Sequence, residues 1–152
     1  RPNALVAAAL PGSPLATPGL VRDARARLLT PLGLRSLAPG APGYRGRHRG
    51  GPAERDAAYH QGTVWPWLIG AFAGAALRAG EPVDGVLDGL VGHLGDFGLG
   101  SVSETADGDA PHAATGCPFQ AWSVAEVLRA MRLPGVVGDG SLSSADGERR
   151  TG

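Results

Sequence analysis

Lysine is absent from the 152 residues, so all 14 positive charges are arginines, and 14 acidic side chains balance them to a formal net charge of zero. That balance removes any global electrostatic case for a nucleic-acid or anionic-membrane partner. A single cysteine, Cys117, excludes an internal disulfide. With no signal peptide apparent, it favours a reducing cytoplasm. The longest dense apolar run, residues 64–77, is interrupted by Pro66, Gly70 and Gly74. It falls short of the roughly 20 residues that a bilayer requires and reads as a buried helix. Isoleucine and asparagine occur once each, at Ile69 and Asn3, which points to the codon bias of a GC-rich genome rather than to selection for arginine chemistry.

What is abundant is glycine and proline, 25 and 13 residues, with an apolar fraction of 43% that argues for a folded chain over most of its length. Charge is segregated: residues 1–78 carry ten arginines against Asp23, Glu54 and Asp56, whereas residues 79–128 carry eight acids and no arginine. The two segments should attract each other in the folded chain, with much of the charge on solvated helix faces and loops. The chain opens on Arg1 rather than Met and runs straight into the apolar stretch 5–10, which reads as a piece of a longer polypeptide.

The periodicity predicts helices throughout. A short helix near residues 5–10 closes at Pro11-Gly12, and a second over 20–29 follows Pro18 and stops before Pro31. Residues 30–62 form a long irregular stretch. Thr63 is placed to cap a helix over 64–79 that is apolar around its whole circumference. Val83, Val86, Leu87, Leu90, Val91 and Leu94 fall on one stripe of the next helix, and Val124, Val127, Leu128 and Met131 on one stripe of the last. No strand-like alternation of useful length appears, so the expected class is all-α. After Leu133 the composition collapses to glycine, serine and charge, so residues 134–152 are expected to be a disordered tail behind a unit spanning 1–133.

Unusual polar and aromatic groups concentrate in two loops. The run RDAAYHQGTVWPW at 55–67 combines aromatic faces, which suit the C–H patches of a sugar ring, with planar polar groups that fix hydroxyls. Trp67 can also be read as first-turn core of the helix that it opens. The second loop, 98–117, puts Glu104 on a glycine-hinged segment between helices, from which a carboxylate can project into a cleft as a general base or simply lie exposed. Asp107 and Asp109 suit capping of turn N–H groups. Two rival chemistries start from the same residues. Asp107, Asp109, His112 and Cys117 form a metal-binding loop module in composition, but their spacing fits neither a zinc nor a calcium motif. Arg45, Arg47, His48, Arg49 and Arg55 could contact phosphates, but no nucleic-acid-binding module accompanies them.

The runs RPN at 1–3, TPLGLRSLAP at 30–39, YRGR at 44–47, RDAAYHQGTVWPW at 55–67, GLGSVSETADGDAPH at 98–112 and QAWSVAEVLRA at 120–130 resemble, in collinear order, the C-terminal part of prokaryotic glycogen debranching enzymes, the amylo-α-1,6-glucosidase family. The resemblance implies an (α/α)6 toroid, of which this chain would supply about five helices and long functional loops. It also implies an inverting hydrolysis of α-1,6-linked glucose at the branch points of glycogen or a limit dextrin. In that chemistry a protonated carboxyl assists the leaving oxygen while an ionised one activates water on the opposite face. The base maps onto Glu104; its acid partner belongs to an upstream motif without counterpart here. Arg35, His60, Gln61, Trp65 and Trp122, with Asp56 and Tyr59 as weaker candidates, are the residues implied to line the glucose pocket. No cofactor or metal is implied, and the N-terminal remainder of the polypeptide is the expected partner. Ala4, Thr105-Ala106 and Ala114 depart from the usual pattern around these motifs. The isolated chain is expected to be inactive, with the face of 64–77 short of neighbours; a non-catalytic glycan-binding fragment is the alternative.

Overall fold

The computed structural model describes residues 1–137. In chain order the helices and strands are α1 (Asn3–Ala8), α2 (Pro18–Arg27), β1 (Leu29–Thr30), β2 (Gly33–Arg35), α3 (Pro52–Tyr59), β3 (Val64–Trp65), α4 (Leu68–Arg78), α5 (Asp88–His93), β4 (Thr105–Ala106), β5 (Ala114–Thr115) and α6 (Ala121–Met131). Local signals explain several boundaries. Thr17 Oγ1 accepts the Leu20 N–H, with Pro18 in the first turn of α2. Pro52 opens α3, and Glu54 reaches back to the Gly51 N–H at 2.6 Å.

The five strands form one antiparallel sheet in the order β1-β2-β3-β4-β5. The expectation of an all-α chain, and with it of an (α/α)6 toroid section, is therefore overturned. Strands of two or three residues cannot display a two-residue period, so the sheet left no trace in the hydrophobic pattern. It runs through the stretches read as irregular, 30–62 and 98–117, and through the residues read as a helical start at 64. Thr63 does not cap a helix; its hydroxyl donates to the Ala58 carbonyl, and Val64 and Trp65 pair with β2 instead. The helix expected over 83–94 shrinks to α5, because Gly85 takes a positive φ of 68° and turns fill the segment before it. On that stripe Val83, Val86, Leu87 and Leu90 are buried, while Val91 and Leu94 are exposed.

The core is centred on α4. Every residue from Leu68 to Ala76 is buried, and α1, α2, α6 and β2 pack against it. Burying side chains such as Phe72 and Ile69 contributes about 1.5–3 kcal/mol each. The apolar face expected to lack neighbours finds them within this chain. Val136 also joins the core, and residues 138–152 of the expected tail lie outside the described residues. No described helix is long and apolar enough to cross a membrane.

Candidate active site

The sheet brings the two polar loops together. Val64 pairs with Arg35 on one side and Ala106 on the other, so the 55–67 and 98–117 stretches meet across β3 and β4. Glu104 sits immediately before β4, half-buried. Its N–H donates to the Cys117 carbonyl at 2.8 Å, and the Cys117 N–H donates to Oε2 of the carboxylate at 3.0 Å. Gly116 makes this approach possible: with φ at +71°, a Cβ on it would stand 2.6 Å from Oε2. The other oxygen, Oε1, accepts the phenolic O–H of Tyr59. Each carboxylate oxygen keeps a further lone pair for water or substrate.

Tyr59 ends α3 inside an aromatic cluster. Its ring meets Trp65 edge-on at 4.7 Å, His60 at 5.0 Å and His48 at 5.5 Å, and its carbonyl accepts the Trp65 indole N–H at 3.1 Å. Burial, then the bond to Glu104 and its negative charge, push the phenol up to about 12. Tyr59 is thus a donor throughout the neutral range. Buried His48 bonds through Nδ1 to Thr115 Oγ1 at 3.1 Å, and burial holds its basicity below the ordinary histidine value despite the opposing charges of Glu104 and Asp107.

His60 stacks on Trp65 with ring planes 10° apart, and both reach the wall of a cavity of about 840 Å³. Trp67 and Trp122, stacked at 4.1 Å, line it as well, together with Arg1, Asn3 and Ser36. Trp122 is 55% exposed, so its ring is open to solvent on the cavity side of the stack. Glu104 is not part of that wall; Tyr59, packed on Trp65 and bonded to the carboxylate, connects the two features.

The basic and acidic segments do meet, as their charges suggested. Asp107, completely buried, accepts the His48 N–H at 2.9 Å and two donors of Arg49 at 2.8 Å. Asp109 accepts the Tyr44 hydroxyl at 2.9 Å and lies 3.8 Å from Arg47. These ties pair Arg47 and Arg49 of the basic stretch with Asp107 and Asp109 of the supposed metal loop. Among the described residues, no group of three histidine, cysteine or acidic side chains is placed to hold a metal.

The residues singled out from the sequence thus divide. Glu104, Tyr59, His60, Trp65 and Trp122 gather around the carboxylate and the cavity. Arg35 is turned to main-chain carbonyls, donating to Gly108 at 2.8 Å and to Leu29 at 3.4 Å. Gln61 accepts from Arg1, which also donates to the His60 carbonyl, while Asp56 lies exposed on α3. Four contributors had not been assigned to this site. His48 had been read only as part of the basic cluster. Trp67 had also been open to a reading as core packing. Arg1 and Asn3 belong to the RPN run but had no assigned role.

The family described as amylo-alpha-1,6-glucosidase matches residues 1–129. No curated protein matches the chain.

Proposed function

The chain belongs to the amylo-α-1,6-glucosidase family, and from that premise we propose that Glu104 is the general base of a glycogen-debranching hydrolase, drawing a proton from the water that attacks C1 of an α-1,6-linked glucose. The observation that carries this reading is the fixing of Glu104: one oxygen is held by Tyr59 and the other by the Cys117 N–H, beside an aromatic-lined cavity. A base must be oriented before it can act, and these two donors leave free lone pairs on a carboxylate of defined direction.

Inversion requires a second carboxyl group about 6.5–9.5 Å away to protonate the leaving oxygen. Four of the acids are engaged elsewhere: Asp107 and Asp109 by arginines and Tyr44, Glu81 by Arg22, and Glu126 by Arg129. The resemblance to the family places the acid in a motif that has no counterpart among these residues. His60, Trp65 and Trp122 bind the glucan, with Trp67 added to their number. Arg35 supports the site by bracing the 107–109 turn, and Gln61 by meeting Arg1. Asp56 is a peripheral contact.

In the protein containing both carboxyls, Glu104→Gln should reduce glucose release from a phosphorylase-limited dextrin by about 10²–10⁴-fold while leaving dextrin binding intact. The glucose first released by the wild type should be the β-anomer, the mark of inversion. Undiminished turnover in the variant removes Glu104 from the base role and leaves the glycan-binding reading.

A further inference from the structure

We infer that Tyr59 is a positioning residue for Glu104 rather than a contact to the sugar. The inference rests on Glu104 being the base and deepens that reading. Three observations place Tyr59 on the carboxylate's side. Its only polar side-chain atom is spent on Glu104 Oε1. Its ring is enclosed by Trp65, His60 and His48, so that the phenol has little rotational choice. It is absent from the cavity wall, although its neighbours His60 and Trp65 both reach that wall.

The Trp65 indole N–H on the Tyr59 carbonyl locks the end of α3 to β3, so the phenol is aimed by the same strand that supplies the cavity's aromatic face. Together with the Cys117 N–H on Oε2, the phenol clamps the carboxylate from two directions. A donated hydrogen bond also favours the ionised form of a carboxylate, which is the form able to accept water's proton. Tyr59 itself stays protonated, since its ionisation is displaced from near 10 to about 12.

The test is Tyr59→Phe in the complete enzyme, which removes one oxygen and keeps the ring. With the carboxylate no longer aimed, kcat should fall about tenfold while KM changes less than twofold. A raised KM with kcat unchanged would place Tyr59 on the substrate, and unchanged kinetics would leave it a packing residue; either overturns the inference. A second measurement does not depend on turnover. The Tyr59 Cζ chemical shift should stay flat to about pH 11 in the wild type and begin to titrate at lower pH in Glu104→Gln, where burial still raises the phenol but the carboxylate's hydrogen bond and charge no longer do. Identical titrations in the two proteins would deny the coupling. Glu104→Gln turnover reports separately on the base assignment, so failure of one claim is distinguishable from failure of the other.

Discussion

Asp107 illustrates how one side chain can hold a site together without touching it. It is wholly buried, and its charge is offset by Arg49 and by the His48 N–H, which fixes the 47–49 stretch beside Glu104 and Tyr59. Asp107→Asn keeps one acceptor but presents amide hydrogens to the Arg49 donors, so it should lower stability by about 3 kcal/mol, read as a shift of the urea midpoint at constant slope. Arg47→Ala should cost less than about 1 kcal/mol, because its contact to Asp107 is 3.9 Å long and half exposed. At this scale the sequence was partly legible. Glu104 stood out through the resemblance, since its glycine-hinged loop alone allowed either a cleft or an exposed position, and the Tyr-His-Gln and Trp-Pro-Trp runs marked the aromatic wall. Asp107 was expected to serve its own turn, whereas its partners are some 58 residues away. Spacing along one chain carries no record of such pairings. His48 escaped for the same reason: its neighbours Thr115 and Tyr59 come from two other segments.

Helix α5 shows the same divide between local and distant causes at the level of elements. Its glycines look uniformly unfavourable, each costing about 1 kcal/mol relative to alanine in a helix interior. The structure separates them. A Cβ on Gly89 would lie 2.3 Å from the Pro31 carbonyl oxygen, whereas one on Gly92 would meet nothing within 4 Å. Gly89→Ala should therefore destabilise by about 1–3 kcal/mol despite the better helix former, while Gly92→Ala should stabilise by about 0.5–1 kcal/mol. Thermal midpoints of the two variants moving in the same direction would contradict that distinction. The long-period elements were readable in advance: α2 with its proline start, the fully apolar α4, and the stripe of α6, although α4 begins four residues later than its apolar run. The strands were not readable. Leu34, Val64 and Ala106 are completely buried members of neighbouring strands, yet each strand is too short to set up an alternation. They are specified by pairing between segments read as loops, and that pairing is what brings together the segments that carry Arg35, Trp65 and Glu104.

Across the molecule, the helical layer around α4 and the sheet that carries the site are joined by buried histidines. His93, at the end of α5, accepts the Ser103 N–H through Nε2 at 3.2 Å, one residue before Glu104, and His48 ties the basic stretch to β5. Burial lowers the basicity of both below the ordinary value near 6.5, against weaker opposing carboxylates. The sign of the consequence follows from proton counting. Above about pH 7 both rings are neutral whether the chain is folded or not, and pH has no leverage through them. Between the unfolded value near 6.5 and the lower folded values, the unfolded chain binds more protons, so stability falls as pH falls. Two such groups give a slope of at most about 2.7 kcal/mol per pH unit. Because α1, α2 and α6 enclose α4 within this chain, thermal unfolding of the 152 residues should be one cooperative transition, with far-ultraviolet dichroism and tryptophan fluorescence coinciding. Its midpoint should be constant from pH 8 to 7 and drop by several degrees by about pH 5.5. A midpoint unchanged across that range would mean that neither imidazole is held neutral by the fold, and non-coincident probes would mean that sheet and helices unfold separately.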